Sequence, residues 1–175
     1  IFQEKYGEKV ITPRLRPVLS WLILFDPEIR ERALKLDPNI AIEGGDISQL
    51  PVTDRRRILV DIVDQIAVDE DGRTARDNAA IARIAQPDLS DVTLQLIQKY
   101  KEHDDVIFFL GRLVWQGNLT ICLAELTDIA LNPKRGIYAR IASIRAVFTV
   151  GNSEQKIALW LSLLSLPEVV PEDLL

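Results

Sequence analysis

The stretch that decides the fold is Tyr138 to Leu164, "YARIASIRAVFTVGNSEQKIALWLSLL". Two runs of helical length meet across Gly151-Asn152-Ser153. Gly and Asn tolerate the backbone that ends a helix, and Ser153 offers an oxygen to cap the next one. The spacing therefore predicts helix, tight turn, helix. Arg140 and Arg145 stand among the apolar positions of the first run. There they would tie adjacent helix pairs together, through carboxylates or through carbonyls left open at helix ends.

Working outward, the same grammar recurs, and apolar residues almost nowhere alternate as strands require. "LTICLAELTDIAL" is closed by Asn132-Pro133, and "AAIARIA" by Pro87. "LSDVTLQLIQKY" has Ser90 as its cap. "DDVIFFLGRLVWQ", ended by Gly117-Asn118, is apolar on nearly every side and is predicted to lie between neighbouring helices. Farther toward the N-terminus, "TDRRRILVDIVDQIAV" sets Ile58, Ile62 and Ile66 on one stripe with Leu59 and Val63 beside it. Pro13 to Phe25 forms a helix with Thr12 as cap, Asp26-Pro27 opens a second running to about Leu36, and Asp37-Pro38 starts a short third. "EGGD" ends that third helix: Gly44-Gly45 is read as a stop, with Asp46 capping a further turn.

Helix starts fall near Asp88, Asp104, Leu119, Gly136 and Ser153, so that the pair recurs at about 31 to 34 residues. Periods of that size belong to stacked αα-hairpins. The expectation is an all-α chain of about 9–11 helices in irregular HEAT-like αα-hairpin repeats, an α-solenoid. Residues 12–66 would hold the N-terminal helices and 73–175 the HEAT-like pairs of one segment, 1–175. A compact all-α bundle is the alternative.

Composition narrows the function. The chain has 175 residues, 47% of them hydrophobic, enough for one substantial core or a row of linked small ones. Lys and Arg number 21 against 26 Asp and Glu, a net charge of −5. That balance argues against a broad nucleic-acid-binding field and leaves room only for local basic patches. One cysteine, Cys122 in "TICLAEL", cannot form an internal disulfide and suits a buried thiol in a reducing compartment. Runs such as "VLSWLILF" fall short of the roughly 20 apolar residues that span a bilayer. A cytoplasmic protein without membrane contact is expected. The opening "IFQEKYGEKV" lacks an initiator Met and the close "PEVVPEDLL" carries Pro171, which could begin another helix, so the chain reads as a piece of a larger protein.

Motifs for chemistry are scarce. His103 is the only histidine and reads as a loop residue, which excludes histidine-rich metal sites and dyads needing two histidines. No G-x-x-x-x-G-K-[ST] loop is present, and Gly44-Gly45 neither follows a strand nor precedes a Lys-Ser/Thr pair. "DEDG", Asp69 to Gly72, lacks calcium-loop ligands beyond its glycine, where Arg73 and Arg76 stand instead. Asp61 and Asp64 share only a helix-face spacing. No catalytic, cofactor-binding or metal-binding residue is expected. Candidate interaction residues are the basic clusters Arg55, Arg56 and Arg57, and Lys134 with Arg135; Arg14 and Arg16 flank the first helix. Exposed faces with local ion pairs are the simpler reading of all of them.

The stretch from Thr12 to Val63, with Leu15-Arg16-Pro17 and Trp21, Asp26-Pro27-Glu28, Asp37-Pro38, Gly45-Asp46 and Arg55 to Arg57, resembles a helical region of large bacterial STAND NTPases of the NACHT type. In those proteins it follows the nucleotide-binding and winged-helix parts. Tyr138 to Leu164 resembles the HEAT-like repeat farther along that region. The resemblance implies a non-catalytic piece of a signalling ATPase of the antiphage-defence kind, working through protein partners: other domains of its own chain or a trigger protein. No Walker residue has a counterpart here. A free-standing HEAT-like module binding a protein or nucleic acid is the competing expectation, and an all-α enzyme built on carboxylates the third.

Overall fold

In the computed structural model, which describes residues 1–5, 7–68 and 77–166, the helix boundaries fall where the punctuation predicts them. Helix α1 is Arg16–Phe25, entered through a 3-10 turn at Pro13–Leu15, and α2 is Pro27–Leu36. Short α3, Ile40–Glu43, leads through a 3-10 turn to α4, Val52–Val68. Then come α5, Asn78–Ile84; α6, Ser90–Lys99; α7, Asp104–Gly117; α8, Leu123–Leu131; α9, Ile137–Val150; and α10, Ser153–Leu164. The described residues thus contain ten α-helices. The acidic turn Asp69 to Gly72, with Arg73 and Arg76, and the tail carrying Pro171 lie outside them.

Side-chain caps open α2, α5, α7 and α10. Asp26 accepts from the amides of Glu28 and Ile29 at 2.9 and 3.0 Å, and Asp77 accepts from Ala80. At the turn first quoted, Asn152 rather than Ser153 is the cap. Asn152 accepts from the Gln155 amide at 2.9 Å and the Gln155 side chain accepts from the Asn152 amide at 3.0 Å, a reciprocal capping box. Ser90 is not a cap either: it is the first residue of α6, and its hydroxyl donates back to the Pro87 carbonyl. Asn118, φ 55, takes the left-handed position that ends α7.

One expectation is corrected. The fold is mostly helical but not all-α, because Phe2–Lys5 (β1) and Glu8–Ile11 (β2) pair antiparallel, Phe2 opposite Ile11. Gly7, φ 84, turns the chain between them. Phe2 and Ile11 pack against the helical core, and the Arg32 guanidinium of α2 sits 4.6 Å from the Phe2 ring centroid.

Packing follows chain order in a regular way. Odd helices contact in series, α1 with α3, α3 with α5, α5 with α7 and α7 with α9; even helices do the same from α4 through α6 and α8 to α10. Helices α2 and α4 are joined by the ion pairs Arg30–Asp54 and Arg57–Glu31. One connected set of buried apolar side chains runs from Leu19 to Leu163. The α4 stripe, Ile58, Leu59, Ile62, Val63 and Ile66, is buried in it, and α7 lies between neighbours. Gly111 makes the α7 to α9 crossing close: a Cβ there would come within 3.0 Å of the Ala142 Cβ.

Candidate functional site

The basic clusters separate once their surroundings are known. Arg55 is buried; its Nε donates to the Leu50 carbonyl at 3.0 Å and its two terminal nitrogens reach Asp88, one at 2.8 Å. It therefore ties α4 to the turn before α6 and is not part of an exposed surface. Arg57 is exposed but paired, 2.7 Å from Glu31 and 3.8 Å from Asp61. Arg135 is largely buried between Glu102 at 2.8 Å and Asp104 at 3.8 Å. Arg56 and Lys134 remain exposed. Arg14 is exposed as well, whereas Arg16 holds Glu43 and Asp37 together across the start of α1. The clusters thus form no single basic patch.

Arg140 and Arg145 take different positions. Arg140 is buried, and its Nε donates to the Ala130 carbonyl at 3.0 Å in the last turn of α8. Arg145 stays exposed and lays its guanidinium 5.1 Å from the Trp115 ring centroid, joining α9 to α7.

The residues with chemical potential are occupied structurally. His103 is the N-cap of α7, its Nδ1 facing the Val106 amide, rather than a free loop histidine. Cys122 is buried with its Sγ toward the Ser90 carbonyl, and burial, aided by the charge of Asp91, pushes the thiol up to about 12. A thiol so protonated is a poor nucleophile. Asp61 and Asp64 do not form a dyad. Burial raises Asp61 above its ordinary value, with Arg57 opposing, while Asp64 accepts from the Tyr100 hydroxyl at 2.6 Å and lies 3.4 Å from Lys99. They border a shallow open groove of about 510 Å³ between α2 and α4, lined also by Glu31, Leu34, Arg57 and Gln65. Among the described residues no three His, Cys, Asp or Glu groups gather where a metal could sit, and no helix is long and apolar enough to cross a membrane.

Gly44 and Gly45 belong to packing. A Cβ on Gly44 would lie 2.4 Å from the Ser20 hydroxyl, and one on Gly45, φ 63, would lie 2.6 Å from the Ser20 carbonyl. These glycines let α3 close on α1, and Asp46 caps the next turn by accepting from the Ser48 amide at 3.1 Å.

What remains as a candidate surface is apolar and lies at the two ends of the helix rows. On α1, Val18, Trp21 and Phe25 are exposed along one stripe. On α10, Ile157, Trp160, Leu161 and Leu164 are exposed at 60, 41, 58 and 59%. Their spacing of i, i+3, i+4 and i+7 makes a complete second helix face, opposite the face that buries Leu159 and Leu163. Phe148 of α9 meets the Trp160 ring edge-on at 6.5 Å and extends the patch. These residues were not singled out from the sequence, although a helix apolar on both faces is the signal that marks them. Comparison with protein-family models, curated proteins and solved structures finds no match to the chain.

Proposed function

We propose that the chain is a non-catalytic, HEAT-like α-solenoid that serves as a scaffold near the sensor of a STAND ATPase of the NACHT type, acting through protein contacts in the cytoplasm. The observation that carries the architectural part is the recurrence of ties between helices of one row. Arg55 to Asp88, Tyr100 to Asp64, Arg112 to Asn78 and Cys122 to Ser90 span 33, 36, 34 and 32 residues, while Gln98 to Glu125 and Arg83 to the Ile42 carbonyl span 27 and 41. In an array of stacked helix pairs each side chain meets its counterpart one repeat away, so contacts collect at the repeat length. The functional part rests on the resemblance of Thr12 to Val63 and of Tyr138 to Leu164. Apolar stripes left open at both row ends support a segment that works against other domains.

Mechanically, two rows joined by buried ties bend little, so a contact at one end can bias a domain at the other. The test is deletion of residues 12–166 from the longer protein that carries them. Trigger-dependent oligomerisation of its ATPase should be lost while nucleotide binding survives. A normal response, or a longer protein without any G-x-x-x-x-G-K-[ST] loop, would overturn the signalling role.

A further inference from the structure

We propose that the face shared by α7 and α9, where Arg112 and Arg145 lie close together on aromatic rings, is a docking surface for an acidic peptide segment of a protein partner. This depends on the contacts of those two helices and not on the ATPase role.

Three observations select that occupant. First, the two guanidiniums are held in place without a carboxylate. Arg112 rests 5.2 Å from the Phe108 ring centroid and Arg145 rests 5.1 Å from that of Trp115. Arg112 also donates from Nε and Nη2 to the Asn78 Oδ1, at 3.2 and 2.8 Å. Neither makes an ion pair among the described residues, whereas Arg16, Arg30, Arg55, Arg57 and Arg135 are each bound to a carboxylate. Among the described residues Arg145 donates no hydrogen bond, so its planar fork is open to a bidentate carboxylate. A guanidinium already stacked on a ring gives up little side-chain freedom on pairing.

Second, the face carries an uncompensated positive charge. Burial lowers the Arg112 pKa from its ordinary value, Asp77 opposes that, and the charge of Arg145 adds to it. Asp77 is committed to capping α5, accepting from the Ala80 amide at 2.6 Å. Two cations that repel each other, on a chain whose net charge is −5, are relieved by an incoming anion.

Third, the anion that fits is a peptide and not a nucleic acid. Phe108 and Trp115 are half-buried beneath their guanidiniums, which take the ring face that a base would stack on. The acidic chain supplies no broad field for a phosphate backbone. Ile141, one turn before Arg145, is half-buried and offers an apolar contact beside the charges. Carboxylates two residues apart on an extended segment stand about 7 Å apart, close to the spacing of about 8–10 Å between packed helix axes. A segment alternating acidic and apolar residues therefore reaches both arginines.

The test is fluorescence anisotropy of the 175-residue chain with a fluorescein-labelled peptide alternating Glu and Leu, beside its Gln-for-Glu counterpart and oligothymidylate. The Glu peptide should bind and the Gln peptide should bind at least about tenfold more weakly. R112Q and R145Q should each weaken the Glu peptide by about tenfold, the worth of one charge-assisted pair. Because Arg145 is exposed, R145Q reads the contact without disturbing the fold. R56Q, at an exposed arginine of α4, is expected to leave binding unchanged. No binding of the Glu peptide, equal binding of both peptides, equal losses in R56Q and R145Q, or tighter binding of oligothymidylate would each overturn the proposal. A photo-reactive residue at exposed Thr149, one turn beyond Arg145, should capture the Glu peptide. Capture of residues 69–76 or 167–175 of the same chain in its place would overturn it as well.

Discussion

At the residue scale, two positions decide how the N-terminal helices meet. Gly45 combines a positive φ of 63° with a contact that admits no side chain, since a Cβ would stand 2.6 Å from the Ser20 carbonyl. Ala at this position is expected to cost about 2–4 kcal/mol, the sum of left-handed strain and overpacking. Urea unfolding of G45A should show this as a lower midpoint, and an unchanged midpoint would mean that α1 and α3 can part freely. Asp37 is the second. Burial works to raise its carboxyl, but hydrogen bonds from Arg16 and Asn39 outweigh that and hold it below the ordinary value of 3.8. A depressed folded value means stability that is present above 3.8 and lost as pH falls through the folded value. D37N should therefore be less stable than wild type by about 1–2 kcal/mol at pH 7, with the gap closing as the medium is acidified below the ordinary carboxylate value. Thermal unfolding across pH 7 to 2 measures it, and a gap constant with pH would refute the coupling.

At the element scale, side chains also tie helices two places apart. Arg55 is the clearest case, because a guanidinium inside α4 satisfies both the Leu50 carbonyl beside it and Asp88 before α6. Removing it leaves a buried carbonyl and a carboxylate without their donor. R55M is expected to lose about 2–4 kcal/mol and D88N about 1, with a double-mutant coupling of at least 1 kcal/mol between them. Additive losses would show that the pair is incidental. The sequence presented Arg55, Arg56 and Arg57 as one basic run. The helical turn separates them by about 100° each, which sends Arg55 inward and Arg56 and Arg57 to the surface.

At the scale of the whole molecule, the stacked two-row architecture proposed above would make stability a sum over neighbouring pairs. Damage to one row end should then spread weakly. Helices α1 and α10 each leave an apolar stripe exposed, Val18, Trp21 and Phe25 on the first and Ile157, Trp160, Leu161 and Leu164 on the second.

Sequence alone determined the helices, because their starts and stops are local chemistry: Asp26-Pro27, Asp77, Asn118 and the Asn152-Gln155 box act within one turn of their own position. It did not reveal the N-terminal hairpin, whose strands of four residues are too short for a period-2 pattern to register. Nor did it distinguish an arginine that ties helices from one that meets solvent, or the glycine pair as a packing contact. Those depend on which residue tens of positions away, or which neighbouring helix, comes within a few ångströms. Only the tertiary structure decides that, because burial and pairing are properties of surfaces brought together across the chain.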